Sequence, residues 1–382
     1  MSTPQSPIAE LEARLAALIA QGVIVVDPRQ TFVGAEVELS RIRPGAILHP
    51  GTRIHGARSF VGVHAEVGRE GPAVLIDVAL ADQAVFASGY AEQSVLLGGA
   101  RAGANAHLRS GSLLEEQAST AHCVGLKQTI LLAFVTLGSL INFCDCLMAG
   151  GTSRDDHSEV GSGFIHFNFT PWGERGDKAT ASLIGDVVRG VFLREHRIFL
   201  GGMGGMVGPL GVGYGAISAA GQVLRRELDD DSFSLQAPRA VERPVRQGWR
   251  DPLQPRLRKN IAYVAQLFAL REWYRQVRLA RQAVDDPRRP VTDAALAVIE
   301  SGIAERRRQT ERFVLERGGR APRFEFEADA LPRCPWTLTP DEGEHLDWVR
   351  GLGEVEVREG QQWLAAIAEQ VRTQSEAETR AT

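Results

Sequence analysis

The stretch Arg41–Phe60, RIRPGAILHPGTRIHGARSF, places Ile42, Leu48, Ile54 and Phe60 six residues apart. The same spacing returns at Leu96, Ala102, Leu108 and Leu114, and again at Leu200, Met206 and Val212. Aliphatic-glycine pairs accompany it, among them Val33-Gly34, Val61-Gly62, Val67-Gly68, Leu137-Gly138 and Val212-Gly213. A six-residue period reads as a parallel β-helix, in which each hexad supplies one short strand and one turn. The aliphatic residue points inward, the small residue lets the chain turn, and three hexads close one coil. A single hexad cannot bury its apolar face, but stacked coils can. A glycine-rich β-sandwich is the competing reading. Its strands would alternate with period two over four to eight residues, whereas these runs give one inward aliphatic per six. The pattern weakens at 73–94 and 150–156, where loops or irregular coils are expected.

Outward from this core the period changes. Ile8, Leu11, Leu15 and Leu18 recur at helical spacing and predict a helix over 7–21. After the charge run LRRELDDD (Leu224–Asp231), four prolines between 232 and 255 mark a linker. Beyond it Ile261, Val264, Phe268 and Leu270 open a helical region. A second helix is expected over Val291–Arg317 with Thr292 as N-cap, and a third over Thr339–Thr373, broken near Gly351–Gly353. The last residues, EAETRAT, are expected to fray. The expected domains are therefore a short helix (1–24), a β-helix (25–236) and an α-helical C-terminal domain (237–382). The arginine-rich part of that domain, 239–320, followed by an acidic tail, reads as a solvated appendage; a polyanion-binding face is the alternative.

The chain has 382 residues, 44% hydrophobic and 24% charged, with a formal net charge of −4. These are globular values, and the charge argues against non-specific nucleic-acid binding. Four cysteines (Cys123, Cys144, Cys146, Cys334) are too few for a disulfide scaffold. Reduced thiols, the absence of a signal peptide and the lack of an apolar run near 20 residues lead to the expectation of a soluble, cytoplasmic protein without a membrane span.

Several blocks carry a resemblance: GVIVVD (Gly22–Asp27), HPGTRIHG (His49–Gly56), AHLRSGSLLEE (Ala106–Glu116), GSGFIHFNF (Gly161–Phe169) with Lys178, IGD (Ile184–Asp186) and VGPLGVGYGAISAAG (Val207–Gly221). In order and spacing they resemble the acetyltransferase half of the bacterial bifunctional N-acetylglucosamine-1-phosphate uridylyltransferase/glucosamine-1-phosphate acetyltransferase family. The resemblance implies a left-handed parallel β-helix, a homotrimer, and acetyl-CoA and sugar-phosphate sites between neighbouring prisms. It implies chemistry on a sugar phosphate or nucleotide sugar of the UDP-N-acetylglucosamine group. No glycine-rich nucleotide loop lies ahead of the prism, so uridylyl transfer is not expected. The family's general-base histidine belongs in the coil that here reads Ser139–Asp145, which contains none.

By resemblance, Arg109 and Lys127 contact sugar phosphate. A fork donor beside a compact point charge suits that group, and only three lysines, Lys127, Lys178 and Lys259, occur in the chain. Lys127 and Lys178 sit in matched blocks and are both candidate substrate-binding residues; each can equally be a solvated prism edge. Asn168 offers a donor and an acceptor for a sugar hydroxyl or amine, or stabilises a turn. The acidic surroundings of His157, in SRDDHSEV, and the nearby His166 make these two the candidate bases; a surface turn and a core position are their structural alternatives. Ala219, Ala220 and Gly221 would meet the pantetheine arm of an acyl-CoA by resemblance. A metal set from His157, His166, Asp156 and the Cys144/Cys146 pair matches no zinc spacing. The expected function is acyl-CoA-dependent acyl transfer; a non-catalytic nucleotide-sugar sensor or scaffold is the alternative, and a metal-dependent lyase a weaker one.

Overall fold

The computed structural model describes residues 7–169, 177–235, 242, 244, 253–326 and 330–380. Helix α1 (Pro7–Ala20) packs Leu15 and Leu18 against the first rungs of a parallel β-helix. The rungs run from Ile24–Val25 to Phe233–Ser234. The hexad residues Ile42, Leu48, Ile54, Leu96, Leu108, Leu114, Leu200, Met206 and Val212 are all buried, as the spacing requires. After Ile54 the inward register position is Val61, partner of Ile42, and Phe60 is instead buried on the outer side beside Ala79.

Three faces follow one another along each coil. In one coil, Arg101–Ala102 lies on the first face, Ala106–Leu108 on the second and Ser112–Leu114 on the third. The next coil repeats this with Ser119–Thr120 and then Gly125–Leu131, one strand that bends across two faces. Each rung pairs in parallel with its neighbours: Leu126 with Leu108 and Phe143, and Ile130 with Leu113 and Leu147. The bend is made at Gln128, with φ 48°, and on the next rung at Asp145, with φ 61°. Such left-handed corners are strained for most side chains.

The segment 73–94, expected to be irregular, carries regular rungs at Ala73–Ile76, Ala79–Leu80, Val85–Phe86 and Gly89–Glu92. The inward register positions there are Leu75, Leu80, Phe86 and Ala91, followed by Leu96. They are spaced mostly five residues apart, so the sixfold count slips while the coil persists. The second irregular stretch is a real excursion. Residues 149–158 leave the third-to-first corner, where Gly151 bridges His157. A second excursion, 185–198, leaves the same corner and holds helix α2 (Val187–Gly190). The expected linker is outside the described residues at 236–241, 243 and 245–252; Phe233–Ser234 still form a rung.

The C-terminal helices are α3 (Leu253–Trp273, continued by a π-helical turn Tyr274–Arg278), α4 (Arg289–Leu315), α5 (His345–Gly351) and α6 (Glu354–Arg380). The break at 352–353 agrees with the sequence reading. Thr292 lies inside α4 rather than at its cap, because the helix already starts at Arg289 with Pro290 in its first turn. Residues 339–344 are not helical, and α6 continues to Arg380, within the segment expected to fray.

The reading of a solvated appendage is corrected. Helix α4 lies on the third face, against Ala79–Leu80, Ser94–Leu96 and Ser112–Leu114. Phe192, from the second excursion, enters an aromatic cluster with Trp273 and Trp336 at centroid distances of 5.2 and 6.5 Å. The arginines are drawn to prism carboxylates: Arg306 to Asp145 at 2.7 Å, Arg278 to Glu116 at 2.5 Å, and Arg256 and Arg317 to Asp177. Tyr274 donates to Glu115 at 2.7 Å. Burial pushes the Glu115 carboxyl up, against the pull of Arg278. Buried charges of this kind must be paired, which is why the segment reads as surface in sequence and is interface in the fold.

Candidate functional site

The second face is open to solvent along much of its length, and its outward positions form two adjacent ladders. One runs Tyr90, His107, Gly125, Asn142, Ile165. The other lies two residues further along each strand and runs Glu92, Arg109, Lys127, Cys144. Lys127 pairs in register with Cys144, and the Arg109 amide donates to Leu126 O. The structure therefore brings Arg109 and Lys127 together on consecutive rungs. The Arg109 guanidinium reaches along the ladder to Cys144 Sγ at 3.5 Å. Burial first, then Asp145, raises the Cys144 thiol pKa, so a thiolate nucleophile is disfavoured there.

Gly125 leaves a recess in this surface. A Cβ there would meet Asn142 Oδ1 at 3.6 Å and clash with nothing. The recess is bounded by His107, Lys127 and Asn142. His107 is exposed and stacks on Tyr90 at 5.2 Å, while the Tyr90 hydroxyl donates to Glu92 at 2.8 Å.

Asn168 sits one corner away. Its amide donates to Asp145 Oδ2 at 2.9 Å, and its carbonyl accepts from Thr180 Oγ1 at 2.7 Å. Asp145 thus joins Asn168 on the open side to Arg306 on the helical side. Lys178 is exposed at the same corner, and its carbonyl accepts from Arg306.

His166 lies beneath this surface, buried, with both nitrogens engaged. Its Nδ1–H donates to Cys144 O at 2.6 Å, and Nε2 accepts from Ser182 Oγ at 2.8 Å. Burial lowers its pKa to about 4. A neutral ring bonded on both sides orients the backbone around it and has no free lone pair for substrate. His157 is elsewhere, in the excursion at the third-to-first corner. Its Nδ1–H donates to Arg154 O at 2.6 Å, and Nε2 faces Glu159 at 3.7 Å. The structure brings neither histidine to the Arg109–Lys127 ladder.

The first-to-second corner is the third element. Stacked turns place His122, Ser139, Ser162, Gly202 and Ala220 along one edge, joined by Leu140 N–H to His122 O, Gly163 N–H to Ser139 O, Met203 N–H to Ser162 O and Gly221 N–H to Gly202 O. His122 Nδ1 lies 3.0 Å from Ser139 Oγ. The coil without a histidine therefore has an exposed imidazole one rung earlier, on the coil that carries Lys127. Sequence reading passed over His107 and His122; the available signal was position, since His107 precedes Arg109 by two and so shares its face. Ala219, Ala220 and Gly221 line the end of this edge, and nothing lies within 4 Å of a Cβ at Gly221. Among the described residues no group of three or more His, Cys, Asp or Glu side chains is placed to hold a metal ion, and no helix is long and apolar enough to cross a membrane. All four cysteines are free.

Fold and ladders together define a hexad-repeat parallel β-helix with a helical domain docked on one face. Its sequence is similar to bifunctional protein GlmU of Fervidobacterium nodosum, 26% identical over 232 residues, which is 61% of this chain and 45% of that protein. GlmU of Nocardia farcinica is 29% identical over 214 residues, 56% of this chain and 38% of that protein. The match thus spans less than half the length of these curated relatives. Among solved structures, LpxA from Acinetobacter baumannii is similar at 16% identity over 57% of this chain and 70% of that one, with a TM-score of 0.23. No family model matches the chain.

Proposed function

We propose that this chain is an acyl-CoA-dependent acyltransferase acting on a sugar phosphate or nucleotide sugar. The observation that carries the reading is the juxtaposition of Arg109 and Lys127 beside the Gly125 recess. Two cations on consecutive rungs bind a phosphate; the recess admits the sugar, with the Asn142 amide and the His107–Tyr90 pair as its walls. The similarity to GlmU proteins supports the substrate class.

His122 takes the proton in this reading. With Nδ1–H donating to Ser139 Oγ, Nε2 keeps its lone pair and its orientation. The acceptor's amine or hydroxyl attacks the thioester carbonyl, its proton passes to Nε2, the C–S bond breaks, and the thiol of coenzyme A leaves. His166 positions Cys144 and Ser182. The small residues Gly202, Ala219, Ala220 and Gly221 leave a smooth edge for a pantetheine arm. Exposed Leu140 (61%) and Met203 (84%) on this edge, with Phe199, Ile217 and Phe233 on the adjoining first face, suit the seat of further copies in a homotrimer.

The test is thiol release from acetyl-CoA with glucosamine-1-phosphate as acceptor, using the full chain. Lys127→Ala is expected to raise KM with little change in kcat, and His122→Asn to lower kcat by about 10²–10⁴. His122→Asn with full turnover would remove His122 from the mechanism. Absence of turnover together with tight, Lys127-dependent binding of the sugar phosphate by calorimetry would establish the sensor reading, which the histidine-free coil Ser139–Asp145 favours.

A further inference from the structure

A cavity of about 780 Å³ lies between the third-to-first corner of the prism and the helical domain. Its size is that of a small-molecule site. It is separated from the open second face by the width of the prism. We propose that it binds a small organic anion: one anionic head on an apolar or aromatic body.

The head is assigned to the prism wall. Arg101 and Ser119 are register partners on adjacent rungs of the first face. Ser119 Oγ lies 3.3 Å from Thr136 Oγ1, and Arg154 from the first excursion donates to Thr136 Oγ1 at 3.0 Å. Arg101, Ser119 and Arg154 all line the cavity. Among the described residues Arg154 otherwise donates only to the carbonyls of Gln117 and Phe134, both at 3.0 Å. The Arg101 side chain makes no hydrogen bond or ion pair with any described residue. Two guanidinium groups without a carboxylate partner among the described residues, beside a hydroxyl, suit an oxyanion.

The helical wall differs. There Arg278 is paired with Glu116, Arg281 with Asp341 at 2.6 Å and Arg288 with Asp286 at 2.7 Å. These charges are balanced within the protein. Glu344 and Asp347 on the helical side and Asp82 on the prism corner also line the cavity; they disfavour a second anionic group. Leu97, Val291 and Leu346 supply apolar surface for the body, and Phe60 and Pro287 extend it. Because prism and helices both contribute walls, a bound ligand bridges the two.

The probe is anilinonaphthalene sulfonate, an aromatic body with one anionic head, with uncharged phenylnaphthylamine as its counterpart. Calorimetry on the full chain should show saturable binding of one sulfonate per chain. The uncharged counterpart, and the sulfonate on Arg101→Ala, should each bind about tenfold more weakly. Arg225→Ala, which removes an exposed arginine distant from the cavity, should bind like the parent. Arg101 is exposed and makes no bond of its own, so its variant folds; circular dichroism checks this. Equal affinity of Arg101→Ala and parent, equal affinity of the two probes, or no saturable binding would each overturn the proposal. Thiol release by the open face is not read here, so the two proposals fail independently.

Discussion

The strand Gly125–Leu131 belongs to two faces, and its halves face different surroundings. The outward ladder of the first half runs Glu92, Arg109, Lys127, Cys144. That of the second half runs Val95, Leu113, Ile130, Leu147. The second-half residues are outward by the pleat and yet buried, because helix α4 and its neighbours cover them. Inward, the halves are alike: Leu126 and Leu131 are both fully buried. The inside of the rod makes the fold, and the outside decides what each face meets.

Four predictions bear on that contrast. Cutting the tie between the faces should have the largest effect. Asp145→Ala leaves the buried Arg306 charge only the longer contact to Glu305, at 3.7 Å, and should cost up to about 3–5 kcal/mol in urea unfolding. A loss below 1 kcal/mol would mean that apolar burial alone seats the helical domain. Next, Ile130→Ala should cost about 2–5 kcal/mol, as for a core aliphatic. A small loss would show that the covered ladder is not packed.

Acid should act through His166, beneath the junction of the two faces. Its pKa is lowered to about 4 in the fold against 6.5 for the free ring, so the unfolded chain binds more protons between these values. Stability from this group is complete above about pH 6.5 and falls as pH drops toward 4, at up to about 1.4 kcal/mol per unit. His345, lowered first by burial and then by Arg278 and Arg281, adds in the same direction. Urea midpoints from pH 7 to 4.5 should therefore fall steeply in the parent and less steeply in His166→Gln. Smallest of all, Lys127→Ala should move stability by under about 0.5 kcal/mol, since its neighbours on the open ladder need no cover. A large loss would place Lys127 in the architecture and not in the site.

The sixfold spacing at 42–54 was enough to read the coil, because each turn there carries one large inward aliphatic, with only a small residue, Ala46 or Thr52, buried two positions before it. At 73–94 large residues still point inward, at Leu75, Leu80 and Phe86, but shorter turns space them five or six apart and the sixfold count loses its phase. The covered face was readable in part. Runs such as TILL (Thr129–Leu132) and SLL (Ser112–Leu114) place aliphatics on both sides of a strand, and a strand apolar on both sides must be covered. What the sequence hid was the cover itself. Arg256, Arg278 and Arg306 have the composition of a wet helix, and their prism partners lie more than 75 residues away in the chain. Arg109 and Lys127 were legible from their motifs and are neighbours in the fold. His122 was not, since its contact with Ser139 exists only once successive coils are stacked.

Both excursions described above, 149–158 and 185–198, leave the rod at the corner beside the helices. The edge carrying His122 and Ser139 keeps tight turns through 161–163, 201–203 and 219–221. Extra chain on one margin leaves the pitch of the winding undisturbed, as stories can be added to a balcony without moving the stair. Lineages of such rods are thereby free to acquire new attachments on the crowded margin, while the bare one preserves its spacing for whatever approaches it.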